Sequence, residues 1–325
     1  VGWPCGRQQR LVRVPPSCSR FMCLCRPLKR ACAVSCSGHE QGIYAGSFVK
    51  VPAIRSLVLS EGFTLQAWVY PTTPERCVQG LVTCFSNSYG YGIVVDEDAS
   101  VALWLGDGSK IQKIRTGVPL LPNNWYFIRA SYDAARKQAC VHHHLATQWP
   151  IPGRDVTVSS SVPSALVCRE TSPLVMAASC HEYERGDRPT YHFNGKIDNP
   201  KLFSKPFLAD GDTHSSLTVA NWDLSLDVAT AKVHDVGPNQ LHGQAINLPT
   251  RAVTGHNWTG AVSDIKVDPS QYGAIYFHDD DLEDAGWDLA FEWTVPENSS
   301  SGAYAVHLTA ADEEDYVPVS YTHLT

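Results

Sequence analysis

The sequence predicts an all-β protein built as a stacked-sheet sandwich, and three observations carry that expectation. Short runs alternate apolar and polar residues with the period of two that a half-buried strand requires. Gly, Asn, Asp and Pro punctuate those runs with turn chemistry. No window carries the long 3.6-period stripe of an amphipathic helix. The texture starts at Gly42, where Ser47-Phe48-Val49-Lys50-Val51 alternates until Pro52 breaks it. In the next run Phe63, Leu65, Ala67 and Val69 share one face, and Pro71 ends it. Further runs follow at Gly80–Phe85, Gly92–Asp96, Ser100–Leu105, Trp125–Tyr132 and Ala139–His144. Short strands at this spacing suit a sandwich or barrel.

Length and charge narrow the functional classes. At 325 residues the chain has room for two domains. Hydrophobic residues at 43% and charged residues at 18% are values of a globular protein. No apolar run approaches the roughly 18 residues that cross a bilayer, so no membrane partner is expected. The net charge of −7 is uneven: residues 1–40 hold seven Lys or Arg and one acid, leaving 19 basic against 32 acidic residues beyond. A body that acidic repels phosphates, so nucleic acid is not expected as a partner either.

The two ends read differently from the body. Six of eleven cysteines fall before residue 37, without a C-x₂-C pair, and a zinc or disulfide module normally pairs its ligands more closely. Residues 1–41, rich in Cys, Arg and Pro and free of either period, are expected to be an unreliable leader, with out-of-frame translation as one origin and an irregular true leader as the other. No secretory signal is apparent. The string Val319–Leu324 matches one reading frame of a widely used sequencing adapter, so residues 319–325 are set aside as a tail and the chain is expected to be a fragment. Cys77, Cys140, Cys168 and Cys180 read as buried or free thiols in a reducing compartment, which points to the cytoplasm.

Three segments together resemble the laminin-G or pentraxin-type, concanavalin-like jelly roll. They are Phe48–Pro52 with Phe63–Val69, then Asn124–Asp133, then Phe193–Phe203. In the last, Gly195 permits a tight turn, Ile197 and Leu202 are expected to point inward, and Asp198 can satisfy loop amides. This places the first domain at 42–206. Leu217–Asp223 and Asp235–Gly243 resemble the opening hairpin of the same class, and they either pack back on the first sandwich or begin another. Trp287–Pro296 and Ala303–Leu308 alternate around a Ser/Gly turn, as antiparallel strands of an immunoglobulin-like region would. The second β region is therefore set at 207–318.

The runs Asn247–Trp258 and Gln271–Trp287, taken with the jelly roll, are similar to the N-terminal half of the N,N-dimethylformamidase large subunit family. The resemblance implies an amidase that releases formate and dimethylamine from its substrate. It also implies an iron held by tyrosine and glutamate in a catalytic domain beyond this region, and partners in a small subunit and further copies of the chain. The expectation is a non-catalytic scaffold with no catalytic or cofactor-binding residue of its own. A carbohydrate-binding, lectin-like module is the alternative.

Asp279, Asp280, Asp281, Glu283 and Asp284 bring enough carboxylates for calcium, which takes six to eight oxygens. An EF-hand glycine is missing, and a solvated or interface loop is the plainer reading. His142 and His144 share one strand face with His143 opposite, without an evident third ligand. His181–Arg185 offers two carboxylates but lacks the E-x-D-x-x-E of concanavalin-like glucanases. Trp104, Trp149 and Tyr183 are candidates for stacking on sugars or for the core. The nucleophile, zinc-protease and phosphate-loop motifs are absent.

Overall fold

The computed structural model of the chain describes residues 10–13, 46–146, 155–180, 189–206, 217–280, 300, 302–310 and 313–321. Its first strands are β1 (Arg10–Arg13), β2 (Phe48–Val51), β3 (Gly62–Pro71), β4 (Gln79–Ser86), β5 (Tyr89–Val95), β6 (Ser100–Asp107) and β7 (Ile111–Pro119). Then come β8 (Tyr126–Asp133), β9 (Gln138–Leu145), β10 (Val156–Ser161), β11 (Leu174–Met176) and β12 (Gly195–Phe203). The chain continues through β13 (Thr218–Asp223), β14 (Lys232–Asp235), β15 (Gly243–Ile246), β16 (Thr250–Val253) and β17 (Ala274–Phe277), and then β18 (Gly302–Ala310) and β19 (Glu313–Tyr321). Two compact units result, one spanning Gly42–Glu283 and one joining Val1–Gln41 with Asp284–Thr325.

The larger unit is a sandwich of antiparallel strands. One layer runs β10-β9-β8-β3-β12, and the far edge of β12 takes β17 at one end and β13 at the other. The second layer runs β14-β15-β2-β11-β4-β5-β6-β7, and the β13–β14 pair joins the two. The alternation read in β3 is realised: Phe63, Leu65 and Val69 are fully buried and Ala67 nearly so. They meet Val49, Leu81, Tyr91 and Ile93 of the facing layer in one core, with the Phe63 and Tyr91 rings 4.3 Å apart.

The later strands settle an alternative that the sequence left open. β13 pairs with β12 and β15 pairs with β2, so the Leu217–Gly243 segment completes the first sandwich. Residue 206, expected as a boundary, falls between paired strands of one unit. Trp222 is fully buried there, and its indole N–H donates to the Leu241 carbonyl at 2.8 Å.

β12 carries the deviation on which the site depends. Ile197 and Leu202 are both fully buried, although strict alternation would send residues five apart to opposite faces. The register shifts between Asp198 and Lys201, with Asn199 in the left-handed region at φ 48°. A bulge of this kind restores the inward direction of Leu202 and leaves Asp198 on the outer face.

In the second unit β18 pairs with β19 over its whole length, and β1 pairs with β18. The hairpin seen there joins β18 to β19, which reaches into the 319–325 segment set aside as a tail, whereas the strand expected at 287–296 as the partner of 303–308 lies outside the described residues. Among the described residues no helix is long and apolar enough to cross a membrane.

One ion pair pins the outer face of the second layer. Asp96, fully buried, accepts from Arg115 Nε at 2.6 Å and from Trp104 Nε1 at 3.2 Å. Burial alone would raise its carboxyl, but the bonds from Arg115, the Glu97 amide and Trp104 hold it below the ordinary value. A depressed carboxylate adds stability above its unfolded value and loses it as pH falls through the folded one. The stability gap between wild type and Arg115→Met should therefore be full at neutral pH and shrink below about pH 4, as urea titrations across pH would read. Phe63→Ala should cost about 3–5 kcal/mol by the same method, and a loss under 1 kcal/mol would place Phe63 outside the core.

Candidate functional site

Asp198, on the outer face of β12 just before the bulge, is the anchor for a strap that follows β16. Its Oδ2 accepts from His256 Nδ1 at 2.7 Å and from the His256 amide at 3.1 Å. An ionised carboxylate can only accept, so Nδ1 carries the proton of this bond. The imidazole stacks on Trp68, with centroids 4.4 Å apart and planes 12° from parallel, and meets Trp125 edge-on at 6.3 Å. Gly255 has to be glycine here, since a Cβ would stand 2.5 Å from Asp198 Oδ2. Lys196, one inward residue before Asp198 on the same face, donates to Thr254 Oγ1 at 3.0 Å, and burial lowers the proton affinity of its ammonium. Its Nζ also lies 5.2 Å from the centre of the Tyr70 ring. Asn257 Nδ2 closes the strap by donating to the Ser270 carbonyl at 3.1 Å.

The strap roofs a cleft of about 200 Å³. Asp198, Asp223 and His256 supply its charged or titratable lining and Gly273 an edge without a side chain, while the Trp222 and Leu224 side chains are buried in the sandwich core. Asp223 Oδ1 accepts from the Ser225 hydroxyl at 2.6 Å and its amide at 3.0 Å, a turn bond that fixes the carboxylate.

Residues 44–210, more than half of the chain, match the model of the concanavalin A-like lectin/glucanases superfamily. The chain belongs to that superfamily. A second match, to the family described as N,N-dimethylformamidase beta subunit-like, C-terminal, covers residues 250–320. This superfamily member is 32% identical over 300 residues to the N,N-dimethylformamidase beta subunit of Paracoccus aminophilus, covering 84% of this chain and 39% of that one. It is 31% identical over 301 residues to the beta subunit of the same name from Alcaligenes sp., with the same coverage. The chain thus spans about two fifths of the length of the curated relatives it matches. Those relatives are called beta subunits, where the sequence reading expected a large subunit. A solved SAP-like pentraxin from Limulus polyphemus overlaps 52% of this chain and 74% of its own at 10% identity and TM-score 0.35. The fold assignment therefore rests on the superfamily match and the strand pairing.

The residues singled out from sequence fall in several places. Asp279 is already engaged: Oδ2 pairs with Arg76 Nη1 at 2.8 Å and Oδ1 accepts from Asn194 Nδ2 at 2.7 Å. Asp280 is exposed, and Asp281, Glu283 and Asp284 lie outside the described residues, as do His181–Arg185 and Trp149. His142 and His144 do share the outer face of β9, bonded to Thr157 Oγ1 at 2.9 Å and Asp155 Oδ1 at 2.7 Å, while His143 is buried. Trp104 is core, not platform, at 2% exposure. Cys77, Cys84, Cys140, Cys168 and Cys180 are free thiols. Among the described residues no three His, Cys, Asp or Glu side chains converge as a metal site would need.

The Asp198–His256 pair escaped the sequence reading because 58 residues separate its members. The available signal was Gly255-His256 inside the Asn247–Trp258 run, a glycine beside a histidine with no turn motif to explain it. His256→Ala should cost roughly 1–3 kcal/mol, since it strips a buried carboxylate of its partner. Amide exchange at 254–258 should accelerate in the same variant, and unchanged protection there would show that the strap is held by its backbone alone.

Proposed function

We propose that this chain is the sandwich-bearing part of a dimethylformamidase-type beta subunit, in which the sandwich positions a reaction centre lying elsewhere in the longer protein. The observation that carries this reading is the similarity to two N,N-dimethylformamidase beta subunits, which runs across both the superfamily region and the strap. In that protein the chain would support an amidase yielding dimethylamine and formate, with iron bound in the catalytic domain of the same polypeptide. The word subunit in the relatives' names supports assembly with other chains. A small subunit and further copies of this one are the partners proposed. Free thiols at five positions support a reducing, cytoplasmic setting.

The calcium reading of Asp279, Asp280, Asp281, Glu283 and Asp284 is weakened by the commitment of both Asp279 oxygens to Arg76 and Asn194. The lectin-like alternative draws on the half-exposed aromatic row of Trp68, Tyr70, Trp125 and Phe127. Sugar stacking needs an open ring face, and His256 already covers one face of Trp68. A glycan array probed with this chain separates the two readings, because scaffold duty needs no sugar.

The 325-residue chain supplied with ferrous or ferric iron should show no dimethylformamide hydrolysis above the protein-free control. Formate release measured by a coupled dehydrogenase checks this. Turnover that scales with protein concentration would put the reaction centre inside the sandwich and end the scaffold reading.

A further inference from the structure

The two layers of the sandwich end in edges of different kinds. Among the described residues β7 closes one layer and β10 the other. An open edge offers unpaired N–H and C=O groups to any other strand, and natural sheets blunt it with charge, proline or a bulge. β7 is blunted in each of those ways. It carries Lys113 and Arg115, ends on Pro119, and sets Gly117 at φ 69°. Its register against β6 also shifts between Ser100 and Ala102. β10 has none of these devices. Val156–Ser161 holds no charged residue and no proline, and its register against β9 runs unbroken over all 6 residues. On a chain of net charge −7 this strand is a neutral strip.

Backbone direction decides which groups of β10 are open. The Val162 N–H donates to the Lys137 carbonyl at 2.8 Å, on the β9 side. Successive residues of a strand aim their N–H and C=O groups to opposite sides. Val156, Val158 and Ser160 therefore bond toward β9, and Thr157, Ser159 and Ser161 point away from it. The Ser161 carbonyl accepts from Gln112 Nε2 of β7 at 3.2 Å, which fits that direction. Thr157 and Ser159 are left presenting both backbone groups outward, and both residues are exposed. The strand is also fixed in place before any partner arrives. Val158 packs against the sandwich core, and Thr157 Oγ1 is bonded to His142 Nδ1 at 2.9 Å. Just ahead of the strand, Asp155 Oδ1 accepts from His144 Nδ1 at 2.7 Å. A strand ordered in this way loses little further entropy when it is paired.

We propose that two copies of this chain pair through β10, edge to edge and antiparallel, so that one sheet runs on into the other. A two-fold axis at Val158 sets Thr157 opposite the partner's Ser159, and Ser159 opposite the partner's Thr157. Each of these pairs exchanges both of its N–H···O bonds. Every outward backbone group at 157 and 159 is then satisfied. The two Val158 side chains meet across the axis, on the core side of the joined sheet. Asp155 falls opposite the partner's Ser161, so no two carboxylates face each other. This inference rests on the reading above for copies of the chain being partners, and it names the surface they use.

Sedimentation velocity of the whole 325-residue chain, at concentrations from about 1 to 200 μM, reads the pairing. One short strand makes a small interface, so a dimer with a dissociation constant on the order of 10–100 μM is expected. Ser159→Pro removes an outward N–H and puts a ring where the partner strand would lie. The β9 ladder does not use that N–H, so the sheet should survive, as circular dichroism would show. The dissociation constant of this variant should rise at least about tenfold. Ser159→Ala keeps the N–H and should pair as the wild type does. In the wild type, amide exchange at residues 157 and 159 should slow as concentration rises. Four results would overturn the proposal. They are a wild type that is monomeric throughout, a folded Ser159→Pro that pairs undiminished, a Ser159→Ala that pairs no better than the proline variant, and exchange at 157 and 159 that ignores concentration. A monomeric chain would leave the scaffold reading standing, because formate release tests that reading separately.

Discussion

The structure depends on one constraint: the inward faces of the two layers of the sandwich have to meet without gaps. β3 supplies Phe63, Leu65, Ala67 and Val69 to that seam, and β5 and β6 answer with Tyr91, Ile93, Val101 and Leu103. Fully burying side chains of this size is worth about 1.5–3 kcal/mol each before entropy is subtracted. Strand order and register follow from the need to keep every such residue inside. A slip of one residue along β3 would reverse its faces and expose the whole row. The bulge in β12 belongs to the same account, because Ile197 and Leu202 can both stay buried only if the strand takes an extra step between them.

That packing solution creates the chemistry of the outer face. Asp198, outward by alternation from the buried Ile197, is a carboxylate short of donors, and the strap after β16 brings His256 and its amide. The segment matched at 44–210 and the part of the 250–320 match up to residue 280 are thereby bonded inside one compact unit. Aromatic stacking of His256 on Trp68 reinforces the same joint. The β sandwich and the strap are consequently parts of one compact unit.

Much of the acidity of the chain is spent on loops. Asp107 accepts from the amides of Ser109 and Lys110, Asp235 from those of Asn221, Gly237 and Leu241, and Asp268 from that of Ser270. Each carboxylate replaces a missing backbone partner where the chain turns. Hydrogen bonds from Ser109 and the following amides hold Asp107 well below the usual carboxylate range although it is exposed. A high acid count in a β protein with many short loops therefore reflects turn construction as well as surface charge. Asp198 is unusual among these acids because it serves a distant strap instead of its own turn.

The amino-acid sequence by itself determined the all-β class, the inward face of β3 and the opposed faces of His142 and His143, whereas Gly195, expected at a tight turn, opens β12 paired with Pro71 and Phe277. The first three are local, written in alternation. Tertiary structure alone decided that the Leu217–Gly243 segment closes the first sandwich, that Trp104 is core, and that Asp279 is held by Arg76 and Asn194. The same holds for the meeting of Asp198 with His256. These outcomes turn on contacts between residues tens to hundreds of positions apart, chosen by which faces the packed layers leave available, and no short-range pattern encodes that choice.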